Sequence, residues 1–188
     1  MDNNDILLHT ERLVLKVIDE EYAAQVVDYY LRNKEFLKKW DPLRSKEFYT
    51  VDYQRNELMN EAQKIKDNRM FKVRIFKTNG DEGRIIGQIS LNNIVRGCFE
   101  SCHLGYSLDK DEINQGYMTE GVNAMIRFAF DALGLHRIEA NIMPENAASL
   151  RVVQKLGFCN EGLAKKYLKI NGKWEDHIHW VLLNDALE

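Results

Sequence analysis

Hydrophobic and polar residues alternate in several short segments of the chain. This period of two is typical of strands that bury one face. "RLVLKV", for example, places Leu13, Leu15 and Val17 on one side and polar neighbours between them. The same pattern predicts strands at 12–17, 70–77, 83–94, 102–109 and 136–143, and a final pair at 164–170 and 173–183.

Between these runs, apolar residues recur every three or four positions, which is the spacing of one helix face. The spacing predicts helices at 19–33, 51–67, 118–134 and 146–158. Asp41-Pro42 separates the first two, because a residue before proline avoids the helical region. Gly134 ends the third helix, and Gly157 occupies the expected position just after the fourth.

Two Asn-Gly pairs mark turns, at Asn79-Gly80 and Asn171-Gly172. The second lies between the last two strands and is the strongest short hairpin signal in the chain. The predicted order is strand, two helices, three strands, helix, strand, helix and two strands. This order indicates an α/β protein of the α+β kind with a mixed, mostly antiparallel central sheet. The helix at 118–134 crosses over to join two parallel central strands.

Composition narrows the picture further. A length of 188 residues suits one domain spanning 1–188. The 26 basic and 29 acidic residues give a net charge of −3, which predicts no direct nucleic-acid partner. Three cysteines, no basic apolar leader and no long apolar window predict a cytoplasmic protein without a membrane partner. The apolar last strand "HIHWVLL" leaves a monomer or a homodimer open.

The stretch "EINQGYMTEG" combines a flexible turn with a helix start. The first amides of a helix have no internal partner and attract anions. Gly116 allows close approach to the backbone, and Asn114 tolerates a left-handed conformation. Gln115, Gly116, Tyr117, Met118 and Thr119 are therefore candidates to present amides to a phosphate. A purely structural helix start, with Thr119 and Glu120 favouring the dipole, explains the pattern equally well.

A second helix start follows the strand at 136–143. Asn146 is placed to cap it, and Ser149 lies one turn in. Capping alone accounts for Asn146. The hydroxyl of Ser149 could in addition reach a ligand held between the two helix starts.

Five motifs in a fixed order resemble the GNAT acyl-CoA N-acetyltransferases, and within them the ribosomal-protein-alanine N-acetyltransferases. They are "TERLVL", "LGYSL", "QGYMTE", "PENAASLRVVQKLGF" and "NGKWEDH". The acyl-CoA signature of that superfamily is Gln/Arg-x-x-Gly-x-Gly/Ala, and here the matching positions read Asp111, Asn114 and Gly116. The two departures, at Asp111 and Asn114, remove a side-chain phosphate contact but not the backbone amides.

The resemblance implies a GNAT fold in which the two parallel strands splay apart at one end, with acetyl-CoA as co-substrate and no metal. The pantetheine arm would lie along Tyr106, Ser107 and Leu108. The pyrophosphate would lie on residues 115–119. Asn146 is the expected side-chain contact, and Asn141 is a further candidate whose alternative is an outward-facing strand position.

The implied reaction is direct acetyl transfer to a primary amine, most simply the N-terminal α-amine of a protein such as a ribosomal protein. An α-amine has a reference pKa of roughly 7.7–8, so a base removes only a weakly held proton. Ser149 matches the acid that protonates the leaving thiolate in related enzymes. Glu100 and His103, near the start of the central strand, are candidates for the base. Each is explained as well by an ordinary strand position.

Other residues favour structural explanations. Cys98 and Cys102 lack the further ligands of a zinc site. His177 and His179 share one strand face and indicate paired surface or interface histidines. By analogy with the family, the segment "NGKWEDHIHW" that contains them helps form the acceptor pocket. By analogy with the family, Trp40 lines the acceptor entrance or closes the core.

Two other functions remain open. One is acetyl transfer to a small amine, such as an antibiotic or a polyamine, with the charged helix at 51–67 supplying an acidic pocket. The other is a non-catalytic acyl-CoA-binding module, which the departures at Asp111 and Asn114 suggest.

Overall fold

The computed structural model describes residues 7–79 and 84–187. Within that part of the chain the strands are β1 Leu7–His9, β2 Leu13–Lys16, β3 Phe71–Lys77, β4 Gly87–Val95, β5 Ser101–Leu108, β6 Arg137–Ile142, β7 Cys159–Ile170 and β8 Lys173–Leu183. The α-helices are α1 Ala23–Leu37, α2 Val51–Lys66, α3 Tyr117–Arg127 and α4 Ala147–Lys155. All eight strands form one sheet in the order β1-β2-β3-β4-β5-β6-β8-β7.

The sheet is antiparallel except where β5 meets β6. These two central strands run parallel, and α3 crosses over between them. The expectation of a mixed, mostly antiparallel sheet with one parallel central pair is confirmed.

Helices cover both faces of the sheet, so each face has its own core. One core packs α3 and α4 against inward residues of the strands, among them Leu15, Ile89 and Ile138. The second lies under α1 and α2 and contains Tyr29, Phe48 and Leu58. The alternation read from the sequence thus reflects strands with residues buried toward each of two helical layers.

The ends of several elements follow the expected local chemistry. Thr50 caps α2 by accepting a hydrogen bond from the Tyr53 amide at 3.3 Å. Beyond α4, Gly157 adopts a positive φ of 80°. Asn171 and Gly172 join β7 to β8 with φ angles of 43° and 83°, which is the conformation that the hairpin turn requires.

Several elements differ from the sequence prediction. β1 was not predicted, because its three residues are too few for a pattern, and β7 begins at Cys159 rather than 164. Helix α1 begins at Ala23 after a short 3-10 turn and extends to Leu37, one turn beyond its predicted end. β4 begins at Gly87 rather than 83, and the Asn79-Gly80 turn falls partly outside the described residues. The crossover helix changes to π geometry at Phe128–Ala132 before ending near Gly134.

Candidate active site

The parallel strands β5 and β6 separate part-way along their length. Three residue pairs join them: Ser101 pairs with Arg137, Cys102 with Ile138, and His103 with Glu139. No pairs follow beyond these among the described residues. β5 nevertheless continues to Leu108 and β6 to Ile142. The backbone edges of 104–108 and 140–142 therefore face each other across a wedge instead of pairing. The splay that the resemblance implies is present.

A cleft of about 650 Å³ occupies this wedge. That volume is within the range of pockets that bind small molecules. Tyr106, Ser107 and Leu108 line it from β5, and Ala140 and Ile142 line it from β6.

The cleft reaches both faces of the sheet. Tyr106 points to the face of α4, where its hydroxyl donates to the Ser149 carbonyl at 3.1 Å. Its neighbour Ser107 points to the opposite face, where its hydroxyl lies 3.0 Å from that of Tyr29 in α1. Residues from both helical layers, such as Thr119 and Trp40, line the same cleft. Two ligands can therefore approach one point from opposite faces.

The turn before α3 has the conformation that the sequence suggested. Asn114 and Gly116 both adopt left-handed φ angles, of 63° and 83°. Together with Met118 and Thr119 they line the cleft. The first amides of α3 thus face this space without intrahelical partners. An asparagine at the first glycine of the acyl-CoA signature is tolerated because it is among the few side chains that adopt this conformation.

The side chains of Gln115 and Tyr117 have partners within the protein, whereas the prediction concerned their backbone amides. The Gln115 carbonyl accepts a hydrogen bond from Arg12 Nη1 at 3.0 Å, and the Gln115 side chain donates to Glu112 at 3.3 Å. The ring of Tyr117 lies 4.7 Å beneath the Arg12 guanidinium. For Gln115 and Tyr117, only the backbone amides remain as candidates to contact an anion.

Arg12 also links the N-terminal motif to α3. Glu120 accepts hydrogen bonds from the Thr10 hydroxyl at 2.6 Å, the Arg12 amide at 2.9 Å and Arg12 Nε at 2.7 Å. Burial alone would raise the pKa of Glu120, but the bonds from Thr10 and Arg12 outweigh it and lower that pKa. "TERLVL" and "QGYMTE", more than 100 residues apart, thus form one structural unit that holds the α3 start.

The start of α4 combines capping with access to the cleft. Asn146 Oδ1 accepts a hydrogen bond from the Ser149 amide at 3.1 Å, so the capping role is confirmed. Both residues also line the cleft. Burial raises the pKa of the nearby Tyr106 phenol, which keeps that hydroxyl protonated.

Asn141 lies in the cleft and not on an outward surface, which corrects the alternative considered from sequence. Its side chain hydrogen-bonds Glu139, while its buried Oδ1 has no protein partner among the described residues. Burial would raise the pKa of Glu139, but the bonds from Asn141 and Arg137 lower it. A buried acceptor without a partner fits a ligand that donates a hydrogen bond.

The far mouth of the cleft is formed by Trp40, Asp41 and His177. Trp40 is half-buried and lines the entrance, so the first of its two explanations fits its position. Burial raises the pKa of Asp41 against the opposing effect of Arg44. His177 is only 3% exposed, so its assignment as a surface or interface histidine was wrong.

Neither candidate base lies in the cleft. Glu100 lies before β5, where it pairs with Arg96 at 2.9 Å and accepts the Gly97 amide at 2.9 Å. His103 is the last residue of β5 that pairs with β6, and its Nε2 lies 3.8 Å from Glu139 Oε1. The described residues that line the cleft include neither Glu100 nor His103.

The cysteines do not contribute chemistry to the cleft. Cys102 is buried, and burial raises the pKa of its thiol to about 12. Cys98 and Cys159 are exposed and unpaired. Among the residues that the structure describes, no group of three or more potential ligands could hold a metal ion.

Arg151 and Lys155 are among the cleft-lining residues that were not predicted from the sequence. They are four positions apart on α4, so the helix period places both on one face and could have revealed them. The family analogy pointed to the hairpin that contains His177, but alternation along β8 does not say which of its two faces meets the cleft.

Residues 12–159 match the family profile described as an acetyltransferase (GNAT) domain. The chain belongs to the GNAT acetyltransferase family. As a GNAT enzyme it is an acyltransferase, and its fold agrees with that assignment. No described helix of this GNAT enzyme is long and apolar enough to cross a membrane.

Related proteins cover nearly the whole GNAT chain. It is 39% identical over 175 residues to the ribosomal protein uS5-alanine N-acetyltransferase of Escherichia coli, covering 92% of this chain and 88% of that protein. The crystal structure of ribosomal-protein-S5-alanine acetyltransferase from Vibrio fischeri superposes with a TM-score of 0.92 at 38% identity, covering 98% and 100% of the two chains.

A structure of Mycobacterium smegmatis RimJ in complex with CoA-disulfide has a TM-score of 0.86 at 27% identity, covering 93% of this chain and 83% of that one.

Proposed function

We propose that this GNAT enzyme transfers the acetyl group of acetyl-CoA to a primary amine, namely the N-terminal α-amine of a protein such as a ribosomal protein. The observation that carries the proposal is the single cleft that opens on both faces of the sheet at the splay. It provides one entrance for a donor and another for an acceptor. We further propose that residues 1–188 act as one domain in the cytoplasm, where ribosomal proteins are made.

The residues of the cleft fit acetyl-CoA. Residues 104–108 pair with β4 but not with β6, so the edge that faces β6 offers strand-like partners to an extended amide-containing arm. The amides of Gly116 to Thr119 suit a pyrophosphate, and Arg151 and Lys155 add positive charge at the same mouth. Asn146 lies between them as a polar side-chain contact. When bound, acetyl-CoA supplies an activated thioester carbonyl.

The residues of this chain would then orient the reacting groups and move protons. Holding an amine against a thioester in the right geometry accounts for a large part of the rate of such reactions. Ser149 is placed to give a proton to the departing sulfur, since it lines the cleft one turn into α4. The buried Tyr106 hydroxyl fixes that turn of α4 through the Ser149 carbonyl.

The acceptor preference draws on the relatives, two of which are named for the alanine of a ribosomal protein. The alternative of a small polyamine loses its sequence argument. No residue of α2 is among the described cleft-lining residues, and its Glu61 pairs with Lys72 and Arg74 on the sheet. A non-catalytic module remains an outcome of the test.

The test is thiol release from acetyl-CoA with a panel of amines. The panel contains Ala- and Ser-starting peptides, the same peptides with a blocked N-terminus but a free lysine, spermidine and an aminoglycoside. We expect release with free N-termini alone. Thiol release with spermidine and none with peptides would mean that the acceptor is a small polyamine and not a protein N-terminus. Binding of CoA without thiol release for any amine would mean that the protein is only a binding module.

Ser149→Ala is expected to lower kcat on the best peptide by a factor on the order of 100, because general acid catalysis typically contributes at least that much. Affinity for CoA, measured by calorimetry, should not change. Ser101→Ala is the matched control, since Ser101 lies on β5 where the strands are still paired. An unaltered kcat for Ser149→Ala would remove this residue from the mechanism.

A further inference from the structure

His177 is a buried histidine in the acceptor mouth of the cleft. It lies on β8 and is 3% exposed. It lines the same cleft as Ser149, Trp40 and Asp41. Alternation along β8 directs His177 and His179 to the α1 face, away from the α4 face on which Ile178 and Trp180 pack.

The hydrogen bond of His177 fixes its tautomer. Nδ1 lies 3.0 Å from the carbonyl oxygen of Glu175. A carbonyl oxygen can only accept, so Nδ1 must carry the hydrogen. In the neutral ring the lone pair is then on Nε2, which makes Nε2 the nitrogen that can take up a proton.

We propose that His177 receives the proton that the acceptor amine gives up during acetyl transfer. The inference rests on the proposed function, because it requires an amine in this mouth of the cleft. The ammonium form of the bound acceptor first gives one proton to His177 Nε2, which frees the lone pair of the nitrogen. The nitrogen then forms a bond to the acetyl carbon while the carbon–sulfur bond breaks. The departing sulfur takes the proton of the Ser149 hydroxyl, and the remaining surplus proton of the nitrogen restores that hydroxyl.

The groups around His177 favour this role. The Tyr167 ring contacts the imidazole from β7, with ring centres 5.9 Å apart. Asp41 lines the cleft with it and attracts an ammonium group, while Arg151 and Lys155 lie on α4. Their placement draws a cationic acceptor to the mouth that holds His177 and an anionic donor to the other.

Other candidate bases are less well suited. Glu139 already pairs with Arg137 at 3.1 Å and with His179 Nδ1 at 3.1 Å, and these partners hold it as a carboxylate. His103 shares that carboxylate from outside the cleft. Asp41 is in the cleft, but its carboxylate lies 3.8 Å from Arg44 Nη2, so it already has a cationic partner.

The deciding experiment is the pH profile of kcat/KM for His177→Asn beside the wild type, on the best amine of the panel. Asparagine can still donate to the Glu175 carbonyl, so the strand end keeps its hydrogen bond while the base is lost. At pH 7 we expect a loss of about tenfold, since only about one α-amine in ten is neutral one unit below a pKa of ~8. The loss should shrink as pH rises past that value, because the amine then deprotonates in solution.

His179→Asn is the control. His179 lies on the same strand face but is not among the cleft-lining residues that the structure describes. It is expected to keep the wild-type profile. His177→Gln, which cannot act as a base either, repeats the test should the asparagine variant fold poorly. The affinity of each variant for acetyl-CoA is measured to verify that its donor site is unchanged.

A loss of equal size at every pH would assign His177 a packing role and overturn the inference, as would an unchanged kcat/KM. A shifted profile in Asp41→Asn, with none in His177→Asn, would move the role to Asp41. If the wild type acetylates only spermidine, the same profiles are measured with spermidine, so the acceptor assignment can fail while this inference stands. If it acetylates no amine, both fall.

Discussion

Asp109 is the side chain that ties α1 to the end of β5. Its carboxylate is fully buried and accepts hydrogen bonds from Arg32 Nε at 2.6 Å and from the Asp111 amide at 3.1 Å. The next residue, Lys110, donates its amide to Asn33 of α1 at 2.9 Å. Burial alone would raise the pKa of Asp109, but the bond from Arg32 outweighs it and lowers that pKa. This residue therefore fixes the turn that leads from the cleft into α3.

Asp109→Asn keeps the shape of the side chain and removes its charge. We expect a loss of about 3 kcal/mol in the free energy of unfolding at neutral pH, since Arg32 is left without its buried partner. Because the native pKa is lowered, the carboxylate's contribution is complete above its ordinary value of ~3.9 and is lost as pH falls through the native value. Urea unfolding across pH checks this.

The difference in free energy of unfolding between the wild type and Asp109→Asn should be constant near neutral pH and should become smaller in acid. A difference that does not depend on pH would mean that shape, and not charge, holds this turn. Asp28→Asn is the control, since Asp28 pairs with the same arginine but its side chain is 69% exposed.

At this scale the sequence revealed residues with local signals and missed those without. Asn146 and Ser149 were found because a helix start prescribes its cap within three positions. The Arg32–Asp109 pair joins residues 77 positions apart, and the Thr10–Glu120 bond joins residues 110 apart. No spacing rule connects positions that only the fold brings together. Likewise, Glu100 and His103 were near the right strand but at its paired end.

The turn before α3 is the element on which the proposed donor binding depends. Asn114 and Gly116 have positive φ angles, and a Cβ at Gly116 would meet only the flexible end of Arg12, at 3.4 Å. Space is therefore not the constraint at Gly116; the conformation is. A residue with a side chain pays roughly 1–2 kcal/mol for this left-handed geometry.

Gly116→Ala is expected to lower stability by about 1 kcal/mol and to weaken CoA binding, because the strained turn shifts the amides of α3. Gly134→Ala is a matched control, since Gly134 also has a positive φ, of 62°, with nothing within 4 Å of its Cβ position. It should lose similar stability and keep its CoA affinity. Calorimetric titration and thermal unfolding separate the two effects. Equal affinities in both variants would contradict a role for this turn in donor binding.

The elements themselves were largely predictable, because strands and helices with one buried face carry the period of that face. β1 has three residues at the edge of the sheet, too few to show a period. The π geometry at Phe128–Ala132 leaves no distinct mark on the spacing of the apolar residues. Boundaries were least accurate where a turn, such as that at Glu20–Tyr22, continues the helical spacing.

Across the whole molecule, the distinctive feature is a sheet in which the hydrogen bonds between the two central strands, β5 and β6, stop half-way along the strands. We expect the amides of 104–108 that face β6 to exchange with solvent far faster than those of β3 and β4, which are paired along their length. Adding CoA should slow the exchange, since the pantetheine arm supplies partners. Hydrogen-exchange mass spectrometry of peptides over β5 checks this against β3 in the same sample. Equal protection with and without CoA would contradict the proposed donor path.

Where β5 and β6 no longer pair, their backbone groups are free to pair with another chain. Exposed strand edges of this kind promote aggregation. The bound donor would act as the missing strand and cover that edge. A ligand at 100 times its dissociation constant stabilises the native state by about 2.7 kcal/mol. If the proposed function holds, we expect the free enzyme to precipitate at a lower temperature than the enzyme with bound acetyl-CoA.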